Sequence, residues 1–238
     1  MALIRRYAAT INGAITFTGN TLGLANLSTG TFYIDTFLTT DTSQQVSGFP
    51  PGTTTDWTKN KSAAILRTTS VAEVQYAELI WGGTFDGSVS GVLNNSIDFT
   101  TPSGSITVTP DPATAQQNGN FYVRSADVTN LGQAAGAGTY EAGKVPATLG
   151  AVGWTLAVVY KDAALPSRNI TFFVNDTYIY SGSPQSIEIT DFGTPVSGSV
   201  NARLLVTAMQ GDTNLVGDQF LFGSTDSTLQ PMSGPNNP

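Results

Sequence analysis

Short apolar runs closed by Gly, Pro, Asn or Ser recur along the whole chain, and several alternate cleanly with a period of two. They predict strands at Ala14–Thr18, Thr31–Thr39, Ser62–Thr69, Val74–Gly83, Asn95–Thr100, Ser105–Thr109 and Asn120–Ser125. The second half adds Gly153–Asp162, Arg168–Asp176, Gln185–Thr190, Ser199–Gln210 and Gln219–Ser224. In Ser199–Gln210 one face carries Val200, Ala202, Leu204, Val206 and Ala208, and the other Asn201, Arg203 and Thr207. That pattern predicts a strand with one buried face. "WTLAVVY" is apolar on both faces, as a central strand covered on both sides would be. One helix is predicted, in "SADVTNLGQAA", with Ser125 as N-cap, Val128 and Leu131 one turn apart, and Gly132 with the following "AAGAG" ending it. About a dozen strands and one short helix predict a single all-β domain, a jelly-roll-like β-sandwich of antiparallel strands. It is expected over residues 1–228, with a polar, proline-bearing, linker-like tail at 229–238.

Composition narrows the function classes. Charged residues are 11% of the chain, where about 25% is usual, and Thr, Ser, Asn and Gly fill the gap. That palette suits a sandwich displayed outside the cytoplasm. The net charge of −7, with no basic stripe, argues against a nucleic-acid partner and against anionic membranes. The chain has neither cysteine nor histidine. Disulfides, zinc sites built on those ligands, and Ser–His or Cys–His catalysis are therefore excluded. Arg5 and Arg6 form a small basic cluster near the start, but no apolar run follows that would make a secretory leader or a membrane span.

The candidate chemistry centres on "VQYAELIWGG", a strand with a carboxylate, Glu78, in its middle. Strict alternation puts Glu78 on one face with Val74, Tyr76 and Ile80, and puts Ala77, Leu79 and Trp81 on the other. Three readings stand side by side. Glu78 is a buried structural charge paired with an arginine, Arg124 or Arg168 before Arg67 or Arg203; or it is exposed on an outer face; or it is a catalytic acid. A glycosidase needs two carboxyls about 5–10 Å apart, and Glu73 and Glu188 are the partners on offer. Glu73 and Glu78 are five apart, however, and alternation turns them opposite ways.

Asp212, Asn214 and Asp218, in the glycine-bounded loop "GDTNLVGD" with Asp226 nearby, form a weak calcium candidate. The same residues are ordinary turn formers. Lys161 with Asn169 or Asn175 supplies the ingredients of an intramolecular isopeptide bond. Trp57, in the loop Ser47–Ser62, could stack on a sugar, and "ALIRRYAAT" could pair with a neighbouring subunit by strand addition.

Several stretches carry a family resemblance: "GAITFTGNTLGL", "YAELIWGG", "FYVRSADVTNL", "GWTLAVVYKDAALPSRNITFFV" and "GDTNLVGDQFLFG". Together they resemble the N-terminal domain of large repeat-containing surface proteins of spore-forming Gram-positive bacteria. The likeness covers most of the chain, leaves out the loop Ser47–Ser62, and is most specific in the "GWTLAVVY" to "NITFFV" stretch. It implies a non-catalytic, structural or adhesive surface β-sandwich ahead of tandem β-sandwich repeats of the same chain, and it implies no catalytic residues. The ending "SGPNNP" is similar to the point where such proteins run on towards their repeats, so an excised domain is expected. A spore coat or exosporium destination would reconcile an extracellular composition with the absence of a leader. The expected partners are a surface protein or a polysaccharide, without nucleic acid or a membrane span, and calcium is the one cofactor candidate. The alternatives are a carbohydrate-binding module and a glycoside hydrolase working through paired carboxylates.

Overall fold

A computed structural model describes residues 3–24, 36–148, 151–177, 185–190, 192–193, 197, 202–209 and 219–232. The strands are β1 (Ile4–Thr21), β2 (Gly23–Leu24), β3 (Thr36–Leu38), β4 (Thr53–Thr54), β5 (Lys61–Leu66), β6 (Glu73–Thr84), β7 (Ile97–Thr101) and β8 (Gly104–Val108). They continue as β9 (Gln116–Asn118), β10 (Phe121–Asp127), β11 (Gly138–Gly143), β12 (Val152–Lys161), β13 (Ser167–Val174), β14 (Leu221–Phe222) and β15 (Gln230–Pro231). One α-helix, α1 (Thr129–Ala135), follows β10. All the strand pairs are antiparallel. The fold is the expected all-β sandwich.

A six-stranded sheet in the order β13-β1-β12-β6-β10-β9 packs on a four-stranded sheet in the order β5-β11-β7-β8. Between them lies the main core, in which Trp81, Leu79, Trp154, Leu156 and Val158 from the larger sheet meet Ile97, Phe99, Val108 and Tyr140 from the smaller. Strand β12 is buried along nearly its whole length between β1 and β6, so "WTLAVVY" is the doubly covered strand its composition predicts.

The larger sheet curls into a half-barrel. Residues 13–21 of β1 pair with β12, while residues 4–12 pair with β13. The first half of β1 thereby comes over the other face of β6, where Tyr7 stacks on Tyr76 with ring centroids 5.2 Å apart. The end of β13 swings towards β9, and the Asp176 N–H donates to Gln116 Oε1 at 2.8 Å. Inside the curl a second, smaller core gathers Tyr76, Ile80, Ala157, Val159, Ile170, Phe172 and Val174.

Several expectations change. The strand predicted at Val74–Gly83 does not stop at its glycines: β6 runs on to Thr84 through Gly82 and Gly83. A Cβ there would stand 2.2 Å from Tyr122 O or 2.3 Å from Ala151 O, so the glycines admit the neighbouring backbones rather than end the strand. The helix starts at Thr129, not at Ser125, which lies in β10 and donates to Thr114 Oγ1. The N–H of Thr129 is taken instead by Asp127 Oδ1 at 2.9 Å. Gly132 lies within the helix, where a Cβ would press on Ala77 at 3.2 Å, and the helix ends at Gly136 with φ +63°.

The segments 185–190 and 202–208 form no strand. Leu204 and Val206, expected on a buried face, are exposed. Alternation without a partner strand does not bury a face, and here Thr207 only touches Thr155 (2.7 Å) while Met209 packs on the smaller core. The part of Thr31–Thr39 before Thr36 lies outside the described residues. "GTYEAG", passed over in the sequence, is β11. Gln230–Pro231, inside the segment 229–238, pair with β14.

Candidate functional site

Glu78 is fully buried, on the inside of the curl. Its cation is neither Arg124 nor Arg168 but Arg6, whose Nε lies 3.2 Å from Oε1 and 3.3 Å from Oε2, with the hydrogen bond directed to Oε2. The Tyr76 hydroxyl donates to the same Oε2. Arg6 reaches on to Asp111, whose Oδ2 is 2.8 Å from Nη1. Two β-bulges build this arrangement. Arg6 is the extra residue in β1, between the paired Arg5 and Tyr7. Gln75 is the extra residue in β6, between Val74 and Tyr76. A bulge re-aims side chains and breaks strict alternation. Hence Val74 belongs to the sandwich core while Tyr76 and Ile80 share the inner face with Glu78.

Burial pushes the Glu78 carboxyl above its ordinary range, and the hydroxyls of Ser125 and Tyr76 and the charge of Arg6 oppose this without cancelling it. Among the described residues Oε1 makes no well-formed hydrogen bond and faces the Arg6 guanidinium. On Arg6, burial works against the charge, but the attraction of Glu78 and the bond networks with Tyr76 more than offset it. Burial, together with the bond to Glu78, holds the Tyr76 phenol far above its ordinary value. Asp111, near the surface, is held low, chiefly by the Ala113 N–H.

Arg124 lies on the opposite face of the sheet from Glu78, cross-strand from Trp81 and beside Tyr122 of the sandwich core. Its Nε donates to Asn94 Oδ1 at 2.7 Å, its Nη1 donates to the carbonyls of Gln116 (2.7 Å) and Val123 (2.8 Å), and its guanidinium lies 5.4 Å from the centre of the Tyr122 ring. The acid it feels is Asp176, a second buried carboxyl, which burial raises and Arg124 partly lowers again. Arg168 is exposed and bonds the Gly13 carbonyl at 2.5 Å.

The remaining candidates are not brought to Glu78. Glu73 is exposed at the start of β6, bonded by Gln75, and Glu188 is exposed in a segment without strand pairing. Asp212, Asn214 and Asp218 lie outside the described residues, and Asp226 accepts from the Ser186 hydroxyl at 2.9 Å. Asn169 bonds Thr10 and Asn175 bonds Thr177, so neither amide is directed at Lys161. Trp57 sits in a one-turn 3-10 helix, partly buried against the sandwich core, and so is not a free stacking platform. In "ALIRRYAAT", the strand expected to add to a neighbouring subunit, β1 pairs with β13 on one side. Arg6, Asp111 and Asp176 were not singled out in the sequence. Only the presence of two adjacent arginines beside an alternating run hinted at Arg6.

A cleft of about 650 Å³ opens between β8 and the start of α1, lined by Gln75, Tyr76, residues 106–109 and residues 126–131. The fold and these features define an all-β sandwich with a curled sheet, and no further identity follows from likeness. No protein-family model, curated protein or solved structure matches the chain.

Proposed function

We propose that this chain is a non-catalytic structural or adhesive β-sandwich domain of a bacterial spore or cell surface. The observation that carries the reading is the setting of Glu78. The acid that most invited a catalytic role is sealed from solvent and committed to Arg6 and Tyr76 inside the curl. Such a pair holds the first half of β1 over the sheet, which is a structural task. The low charge and the abundance of Thr, Ser, Asn and Gly support display outside the cytoplasm. The resemblance to N-terminal domains of repeat-bearing surface proteins supports a place ahead of a repeat array.

The test is immunogold labelling of intact spores and of vegetative cells of the encoding organism, with antibody raised against the domain. Gold on the spore or cell exterior is the expected result. Gold confined to the cytoplasm overturns the reading and returns attention to the carboxylates.

A further inference from the structure

The four-stranded sheet ends differently on its two sides. At the β5 edge, side chains of β1 occupy the outward carbonyls: Thr18 Oγ1 donates to Ile65 O at 3.0 Å and Asn20 Nδ2 to Ala63 O at 2.8 Å. At the other edge, β8 pairs with β7 on one side only. The β7–β8 hairpin closes at Thr101 and Gly104 across a two-residue turn. In such a hairpin the closing pair is hydrogen-bonded and bonding alternates from there, so Ser105 and Thr107 point their N–H and C=O groups away from β7. Among the described residues no backbone bond meets them.

The guards that usually blunt an edge are missing as well. Gly104–Val108 has no charge, no proline and no bulge, and Ile106 is 45% exposed at its centre.

Beside this edge lies the cleft. Val108, Val128 and Leu131 continue the sandwich core to its apolar floor, and Ile106 overhangs it. Its far wall is the start of α1. An open strand edge facing a helix across an apolar floor is the arrangement into which an extended peptide adds as a further strand. Charge selects the occupant: Asp127 is the only charged residue lining the cleft, no cation lines it, and the whole chain carries −7.

We infer that the β8 edge and its cleft bind an extended peptide segment of another protein, one with alternating β-branched side chains and a lysine or arginine placed to meet Asp127. The segment would take its main-chain bonds from Ser105 and Thr107 and turn every second side chain onto the apolar floor. This holds wherever the protein is located, so it stands or falls apart from the surface reading.

The test titrates the whole chain with a fluorescein-labelled seven-residue peptide of alternating threonine and valine ending in lysine. The same peptide ending in glutamate is the control. The lysine peptide is expected to bind more tightly, with amide shifts in ¹H–¹⁵N spectra centred on Ser105, Thr107 and the first turn of α1. Thr107→Pro removes one outward N–H and is expected to weaken binding by about tenfold with an unchanged melting temperature. Asp127→Asn keeps the cap on Thr129 and is expected to erase the preference for lysine over glutamate. Should Thr107→Pro fail to fold, Ile106→Lys, at an exposed position, is expected to repel the lysine peptide instead. Three results overturn the inference: no shift at β8 with either peptide; binding unchanged in the edge variant; or a dimer, seen by sedimentation, that the edge variant dissolves while no peptide binds. The last would make a second copy of the chain the occupant.

Discussion

The two faces of the six-stranded sheet are made by the same strands and closed in different ways. On β12, Leu156 and Val158 face a second sheet across an apolar core, while Ala157 and Val159 face the curl of their own sheet. The first face is covered by independent strands, and its burial needs no charge. The second is covered by the first half of β1 and by β13, with Met209 packed against it. There Arg6, Tyr76 and Glu78 tie that cover down. The comparison teaches that a buried ion pair can fasten a strand that crosses back over its own sheet, and that the two faces should fail under different challenges.

The largest expected effect is on the apolar face. Leu156→Ala should cost about 3–5 kcal/mol in urea unfolding, independent of pH, because it removes fully buried methyl groups and leaves a cavity. A loss below about 1 kcal/mol would mean that the sandwich core collapses around the gap. On the curled face, Arg6→Met should cost about 3 kcal/mol near neutral pH, since it leaves a buried carboxylate without its cation. Adding Glu78→Gln to Arg6→Met should recover most of that loss. A double variant no better than Arg6→Met alone would show that Arg6 acts through Asp111 or through packing.

Acidity should separate the faces further. The folded-state value of Glu78 lies above its unfolded one, so the native state binds the proton more tightly. Its contribution is present at pH below the ordinary glutamate value and declines as pH rises through the raised one. The stability of the wild type relative to Glu78→Gln should therefore fall with rising pH across that window. Asp111 runs the other way: held low by the Ala113 N–H and by Arg6, it contributes above its ordinary value and is lost as pH falls through the lowered one. Urea midpoints of wild type, Glu78→Gln and Asp111→Asn across the acid range would show the two slopes. A wild type that gains on Glu78→Gln with rising pH would mean the arginine outweighs burial.

The apolar face was legible in the sequence and the curled face was not. Period-two alternation located β6, β7, β10, β12 and β13, because each strand buries one or both faces against neighbours at fixed spacing, and it located the mostly exposed β8 as well. It also put Ala77, Leu79 and Trp81 together on one side of β6, where they lie. The partner of Glu78 was hidden for a physical reason. Arg6 is 72 residues away and turns inward only because a bulge adds one residue to β1. Alternation carries no record of a bulge, which shifts every side chain beyond it to the other face. The same blindness put Val74 on the wrong side. In 202–208 the failure is the converse, a clean alternating pattern without a pairing strand.

The finest distinction lies within the apolar face itself. Trp81 and Trp154 are cross-strand partners on β6 and β12, both almost fully buried. Trp154 Nε1 donates to Ser62 Oγ at 3.0 Å, whereas among the described residues Trp81 Nε1 has no hydrogen-bond partner. Replacing either ring with phenylalanine removes a similar volume, so the cavity cost is shared. At Trp154 the change also strips Ser62 of its donor, while at Trp81 it deletes a buried N–H that was already unpaired. Trp154→Phe should therefore be the more costly by about 1 kcal/mol, read from urea midpoints at a common slope. Equal losses would place a bound water on Trp81 Nε1, making both indoles anchored groups and leaving the sandwich core as fully satisfied as its apolar packing suggests.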